Sequence, residues 1–141
     1  MIDIDMLGSA LRANNIKMVR QFIQQQPELL NQCPWGTDRT LLHYAAIYGL
    51  APMIDALLDA GADTSLVDGD QKTALELAIM NGNVDCVEAL LEHEAPPVQI
   101  RGFAQGTLDA AKNHGDKASL TRSQICLALV DAALSGATTA A

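Results

Sequence analysis

Three histidines, three cysteines and a pair of close aspartates are the groups in this chain that could do acid–base or metal chemistry. His43, His93 and His114 could bind a metal through the neutral imidazole or act as general bases near neutral pH. A helical metal site wants two ligands four residues apart on one face, and no two of these histidines have that spacing. Cys33, Cys86 and Cys126 are odd in number, far apart and in no Cys-x-x-Cys arrangement. They signal neither a zinc knuckle nor a disulfide framework, and fit reduced thiols in the cytoplasm. Asp68 and Asp70, in "DGD", make a turn with two carboxylates but lack the other ligands of a calcium loop. No Gly-x-Ser-x-Gly elbow, phosphate-binding loop or dinucleotide fingerprint is present. The expectation is therefore no catalytic residue, no metal and no cofactor. A small hydrolase or metal-binding enzyme using His43 or Asp68 is the minority reading.

A different chemistry, recognition, is suggested by "PWGTDRTLLHYAAIYG", residues 34–49, which holds the only tryptophan and both tyrosines of the chain. Trp and Tyr bury much area for little rotamer loss and keep a polar handle, so they are common binding anchors. Core packing is the alternative. The choice depends on the elements that carry Trp35, Tyr44 and Tyr48.

Those elements follow from a repeat. With Thr40 placed over Thr73, Leu42 falls on Leu75, Ala45 on Ala78, Gly49 on Gly82, Ala56 on Ala89 and Leu57 on Leu90, at a constant offset of 33 residues. A period of that length marks units that each bury one face and must stack on a neighbour. Within a unit, Thr40 caps a short helix with Leu42, Ala45 and Ala46 on one side, and Gly49 ends it. Pro52 opens a second helix with Ile54, Leu57 and Leu58 inward, and Gly61 closes it. The polar "ADTSLVDGDQK" then reads as an extended connection or hairpin.

"DRTLLHYAAIYGLAPMIDALLDAGAD" resembles an ankyrin repeat, with Leu41 where the signature has proline. "QKTALELAIMNGNVDCVEALLEHEA" is a second match, with Ala74 for the proline, Glu76 for the histidine and Glu94 for the closing glycine. Upstream, "LGSALRANNIKMVRQFIQQQPELLN" fits if the register moves by two residues, placing Leu7 on Leu42 and Ala10 on Ala45. Downstream, Leu108, Ala111 and Gly115 keep the register, but Arg122, Ser123 and Gln124 stand where the apolar stripe should be. "VDAALSGA" there matches "IDALLDAGA" only with about ten residues inserted, and terminal units of a solenoid are expected to be atypical.

The resemblance implies an all-α, ankyrin-repeat solenoid of stacked helix-turn-helix units joined by hairpin-like loops, with an extended C-terminal capping helix. The expected single domain spans 1–141, with units near 5–33, 37–66, 70–98 and 103–136. It further implies that His43 forms hydrogen bonds tying neighbouring turns together. His93 and His114 read as helix-end residues that meet the favourable pole of the dipole.

In such a stack the first helices line a concave face and the connections project as fingers. Helical geometry turns Leu42, Ala45 and Ala46 inward and leaves Tyr44, Ile47 and Tyr48 toward the concave side. Their equivalents one unit on are Leu77, Met80 and Asn81. Trp35, Asp38, Asp68 and Asp70 are expected on fingers, and Arg101 and Phe103 in the replaced third connection "APPVQIRGFAQG". This set is the expected partner-binding surface. Its structural alternative is that Trp35 covers the connection after Pro27 and the tyrosines pack against neighbouring fingers.

The net charge of −8 opposes nucleic-acid binding, which takes its affinity from Lys and Arg. Apolar anchors inside a carboxylate rim would suit another protein with a basic surface. The N-terminus "MIDIDMLGSALR" lacks the basic start of a signal peptide, and no run of about 18 apolar residues follows. No membrane contact is expected, and the expected location is the cytoplasm. Residues 125–134 are apolar nearly all round, which fits either a cap folded over the last unit or self-association. The functional expectation is a protein–protein interaction module, an adaptor or scaffold. The short chain without an attached catalytic domain raises a second one, an inhibitor or immunity-type antagonist of a toxin or enzyme.

Overall fold

The computed structural model describes residues 4–33, 38–93, 100–114 and 116–139. Among them are eight α-helices and no strand: α1 (Ile4–Arg12), α2 (Ile16–Gln25), α3 (Leu41–Tyr48), α4 (Ala51–Asp59), α5 (Ala74–Met80), α6 (Val84–His93), α7 (Ile100–His114) and α8 (Lys117–Thr139). Consecutive helices pair antiparallel. The odd-numbered helices then stack in order as one layer, α1 on α3 on α5 on α7, and the even-numbered ones as a second layer behind it. One apolar cluster runs through the stack from Leu7 to Val130.

The helices of the second and third units are short because their ends are fixed chemically. Thr40 Oγ1 accepts the His43 N–H (3.4 Å) while the Thr40 N–H donates to His43 Nδ1 (3.2 Å), a reciprocal capping box. Thr73 and Glu76 repeat it. At the other end Gly49 is left-handed, with φ 76°, and lets the Leu50 N–H reach back to the Ala45 carbonyl at 2.9 Å. Gly82 (φ 66°) does the same for the bond from Asn83 to Ala78. In the first unit Asn14 takes this conformation with φ 55°, and Asn15 bonds back to Ala10. Asparagine tolerates the left-handed region better than other side chains, so that unit turns without a glycine.

The second helices begin as expected, with Pro52 in the first turn of α4 and Ile54 and Leu57 buried. One feature of the first unit was not anticipated. A short 3-10 turn at Pro27–Asn31 buries Leu29 and Leu30, and Asn31 Oδ1 accepts the Asp63 N–H of the next unit at 2.8 Å.

The last pair departs from the expected pattern. α7 starts at Ile100, so Arg101 and Phe103 lie within a helix and not on a finger. The inserted residues are absorbed as extra turns of α8, which runs unbroken for 23 residues. The apparent break at Arg122–Gln124 is a shift of stripe: Ser123, Cys126 and Val130, three and four residues apart, are the buried positions. α8 packs on both α6 and α7, which covers it on two sides, while Ile125 faces outward.

Candidate interaction face

The polar groups nearest the repeat junctions are committed to holding units together. His43 is buried, and its Nδ1 faces the Thr40 N–H and hydroxyl. Nδ1 must therefore accept, which leaves the proton on Nε2 to donate to the Lys72 carbonyl of the next unit at 3.0 Å. Burial pushes the His43 pKa below its usual value of 6.5 and outweighs the opposing pull of the Lys72 carbonyl and of Asp68. The ring is neutral and both nitrogens are engaged, as the resemblance implied. It is a structural latch with no lone pair left for a metal or a substrate proton.

The connection that receives this latch is itself well ordered by hydrogen bonds. Asp68 Oδ1 accepts the N–H groups of Asp70 and Lys72, both at 3.0 Å, and the Asp68 N–H donates to the Lys72 carbonyl at 2.9 Å. Arg39 of the preceding unit reaches Asp68 Oδ2 at 3.4 Å. Burial disfavours the Asp68 carboxylate, but the Lys72 and Asp70 amides and the Arg39 guanidinium prevail and hold its pKa below the ordinary carboxylate value. Gly69 lies against Asp38, and a Cβ there would collide with the Asp38 carboxylate. Lys72 continues the chain of contacts forward, its Nζ 5.3 Å from the centre of the Phe103 ring.

Other junctions use groups that sequence spacing did not reveal. Asn83 Nδ2 donates to the Ala46 (2.6 Å) and Ile47 (3.1 Å) carbonyls at the end of α3, which would otherwise be unpaired helix-end acceptors. Arg122 occupies the matching place against Gly82, its stem close to where a Cβ would stand. His93, the last residue of α6, also meets Asp55 of α4 at 3.2 Å. No sequence spacing singles out Asn83, ten residues beyond the capping Thr73, because its partners are backbone atoms.

Away from the junctions, the outward side of the first-helix layer carries an apolar patch. The Tyr44 and Tyr48 rings stack at 6.1 Å with 24° between planes. Tyr48 is 47 % exposed and Met80 53 % exposed; Tyr44 and Ile47 are half-buried and Asn81 is exposed. These residues lie on α3 and α5, at neighbouring places in the stack. Two residues expected with them are not on the surface. Leu77, the equivalent of Tyr44 one unit on, is only 5 % exposed and belongs to the core cluster, on a helix that packs between α3 and α7. Asp68 is 4 % exposed, drawn inward by its turn amides and Arg39. Asp38 and Asp70 are exposed on the fingers, Arg101 is exposed on α7 and bonds Asp131 at 2.7 Å, and Phe103 is half-buried beneath Lys72. Trp35 lies outside the described residues.

The remaining chemical candidates are quiet. Burial, with Asp85 and Asp55 nearby, pushes the Cys86 thiol up to about 12, and burial likewise raises that of Cys126. Both are poor nucleophiles at neutral pH. Among the described residues no three His, Cys, Asp or Glu side chains converge on a metal-sized site, and no helix is long and apolar enough to cross a membrane.

Stacked two-helix units, with first helices ended by left-handed Asn14, Gly49 and Gly82 and with one cross-unit histidine latch, define a repeat solenoid. The chain belongs to the ankyrin repeat family: the model of three ankyrin repeats matches residues 7–100. Among similar proteins, the Neurospora crassa "Ankyrin repeat protein nuc-2" is 38 % identical over 81 residues, 57 % of this chain and 8 % of that protein. "Dauer abnormal formation protein 25" of Caenorhabditis elegans is 29 % identical over 126 residues, 87 % of this chain and 32 % of its own length. The Drosophila melanogaster "ARF GTPase-activating protein Git" is 34 % identical over 88 residues, 61 % of this chain and 12 % of its own. The chain thus spans no more than about a third of these relatives. Ankyrin repeats are protein–protein interaction modules, and this chain is one by its repeats.

Proposed function

We propose that the chain acts as an adaptor or scaffold that binds a partner protein through the outward side of its first-helix layer and the adjoining fingers. The single observation that carries this reading is the exposed Tyr48 and Met80 beside the Tyr44–Tyr48 stack, on helices whose other faces are already used for stacking. Large apolar and aromatic groups clustered on a rigid face are how interfaces obtain most of their binding energy. Tyr44, Ile47, Tyr48, Met80 and Asn81 form the proposed centre, with Asp38 and Asp70 at its finger edge; Trp35, which the sequence assigns to the same surface, lies outside the described residues. Leu77 and Asp68 support it from below. The unpaired thiols of Cys33, Cys86 and Cys126 suit a reducing compartment such as the cytoplasm.

The test is capture of partners from lysate of the source cell by wild type, by Tyr48→Ala/Met80→Ala, and by Glu88→Ala on the outer layer. The first double variant should lose a specific partner by more than about tenfold with its melting temperature nearly unchanged, and the Glu88 variant should retain it. Adding Trp35→Ala should deepen the loss. Retention of every partner by the double variant contradicts the proposal. If the captured protein is an enzyme or toxin whose activity falls on binding, the chain is an antagonist and not a general adaptor.

A further inference from the structure

We infer that the occupant of this face is a basic, apolar-anchored segment of another protein, a stretch with Lys or Arg flanking apolar side chains. The inference rests on the reading of the first-helix face as the docking surface, and adds the chemistry of what docks there.

The floor formed by Tyr48, Ile47 and Met80 is uncharged, so it asks for apolar groups. The edge beside it is negative for a specific reason. Fingers rise from the N-terminal ends of α3 and α5, and they expose Asp38, Asp63 and Asp70. The described cations on the same edge are already spent within the molecule: Arg39 on the buried Asp68 at 3.4 Å, Lys72 on the Phe103 ring, and Arg101 on Asp131 at 2.7 Å. The edge therefore stays net negative, with the carboxylates of Asp38, Asp63, Asp68 and Asp70 set against Arg39 and Lys72. The floor lies at the C-terminal ends of α3 and α5, about two helical turns or more from the fingers, so the partner's cations must reach the fingers themselves, displaced along the segment from its apolar anchors.

The same charges argue against the other occupants. A second copy of the chain brings the same −8 and so repels, and nucleic acid or an anionic lipid surface would meet a net negative edge. What remains complementary is a polypeptide with cations around its apolar anchors.

Three labelled helical peptides of about 18 residues, roughly 27 Å long, serve as probes in fluorescence anisotropy. One alternates Leu and Lys in an amphipathic pattern, one replaces each Lys by Glu, and one replaces each Leu by Ser. The Leu/Lys peptide should bind with saturation at one per chain and the Leu/Glu peptide at least about tenfold more weakly. The Ser/Lys peptide should also be at least about tenfold weaker, since charge alone supplies little affinity. Asp38→Asn/Asp70→Asn should weaken Leu/Lys binding about threefold to tenfold and flatten its salt dependence, while Tyr48→Ala/Met80→Ala should weaken it by more than about tenfold. Both variants must keep the wild-type melting temperature. Equal binding of the Leu/Glu peptide overturns the inference, as does absence of Leu/Lys binding or binding indifferent to both variants. A native partner that docks on Tyr48 through an acidic segment would leave the docking face intact and overturn only this inference.

Discussion

The two capping boxes among the described residues close the same way and then diverge. Thr40 pairs with His43 and Thr73 with Glu76, each side chain bonding back to the threonine N–H at 3.2 Å. His43 has a second nitrogen and spends it on the Lys72 carbonyl in the next finger. Among the described residues the Glu76 carboxylate bonds only to Thr73. The difference follows what comes next along the stack. After α4 a long connection, Ala60 to Thr73, folds into a finger that offers Lys72 to the histidine. After α6 the chain re-enters a helix at Ile100, so extra turns of α7 stand where a finger would be. A residue at this position needs a forward-reaching donor only where a following finger exists to accept it. Elsewhere a group that satisfies the cap and suits the positive helix end is enough.

That contrast can be broken most sharply by substitution. His43→Ala removes a buried group bonded to two units, takes the cross-unit donor from the Lys72 carbonyl and strands the Thr40 N–H, so it should cost about 2–4 kcal/mol in urea unfolding. Glu76→Ala opens one half-buried cap and should cost about 0.5–1 kcal/mol. Equal losses would contradict the latch. Asn83→Ala, which frees the Ala46 and Ile47 carbonyls, should fall between them at about 1–2 kcal/mol. Gly49→Ala and Gly82→Ala place a Cβ on left-handed backbone and against Asn83 or Arg122, and each should lose about 1 kcal/mol.

The smallest effect is one of pH. The unfolded chain takes up a proton on His43 near 6.5, whereas burial holds the folded pKa lower. The stability associated with the neutral ring is therefore complete above pH 6.5 and is lost progressively as pH falls toward the folded pKa. Melting temperature should decline on acidification from pH 7 to pH 5, and His43→Gln should flatten that decline. Asp68 behaves alike at lower pH, its contribution being lost below the ordinary carboxylate value of 3.8.

Much of the second and third units could be read in advance because their signals are local. Gly49 and Gly82 mark chain reversals through backbone freedom, the threonines mark helix starts through side-chain acceptors, and the 33-residue offset ties both together. The fourth unit could not, because helix length is decided by packing. "IRGFAQG" contains two glycines and looks like a connection, yet Ile100 and Ala104 are buried against the stack and make it helical. That helix also takes in Arg101 and Phe103, expected on a connection, and the same limit explains the two expected surface residues that are buried. Helical phase puts Leu77 outward just as it does Tyr44, and phase alone does not carry the packing that buries Leu77 in the core cluster. Asp68 reads as a solvated turn carboxylate until its amide donors and Arg39 are in place. The Asn83 bonds and the Lys72–Phe103 contact join positions more than thirty residues apart with no repeated spacing, so composition offers no clue to either.

The central claim is that partners are met by the first-helix face and not by the outer layer. Its most direct test is to place a photo-crosslinking amino acid at Tyr48, and separately at Glu88, and irradiate the protein in cells of its source. The account predicts a discrete adduct from position 48, also obtained from Met80, and none from position 88. An adduct formed only from position 88 would contradict it.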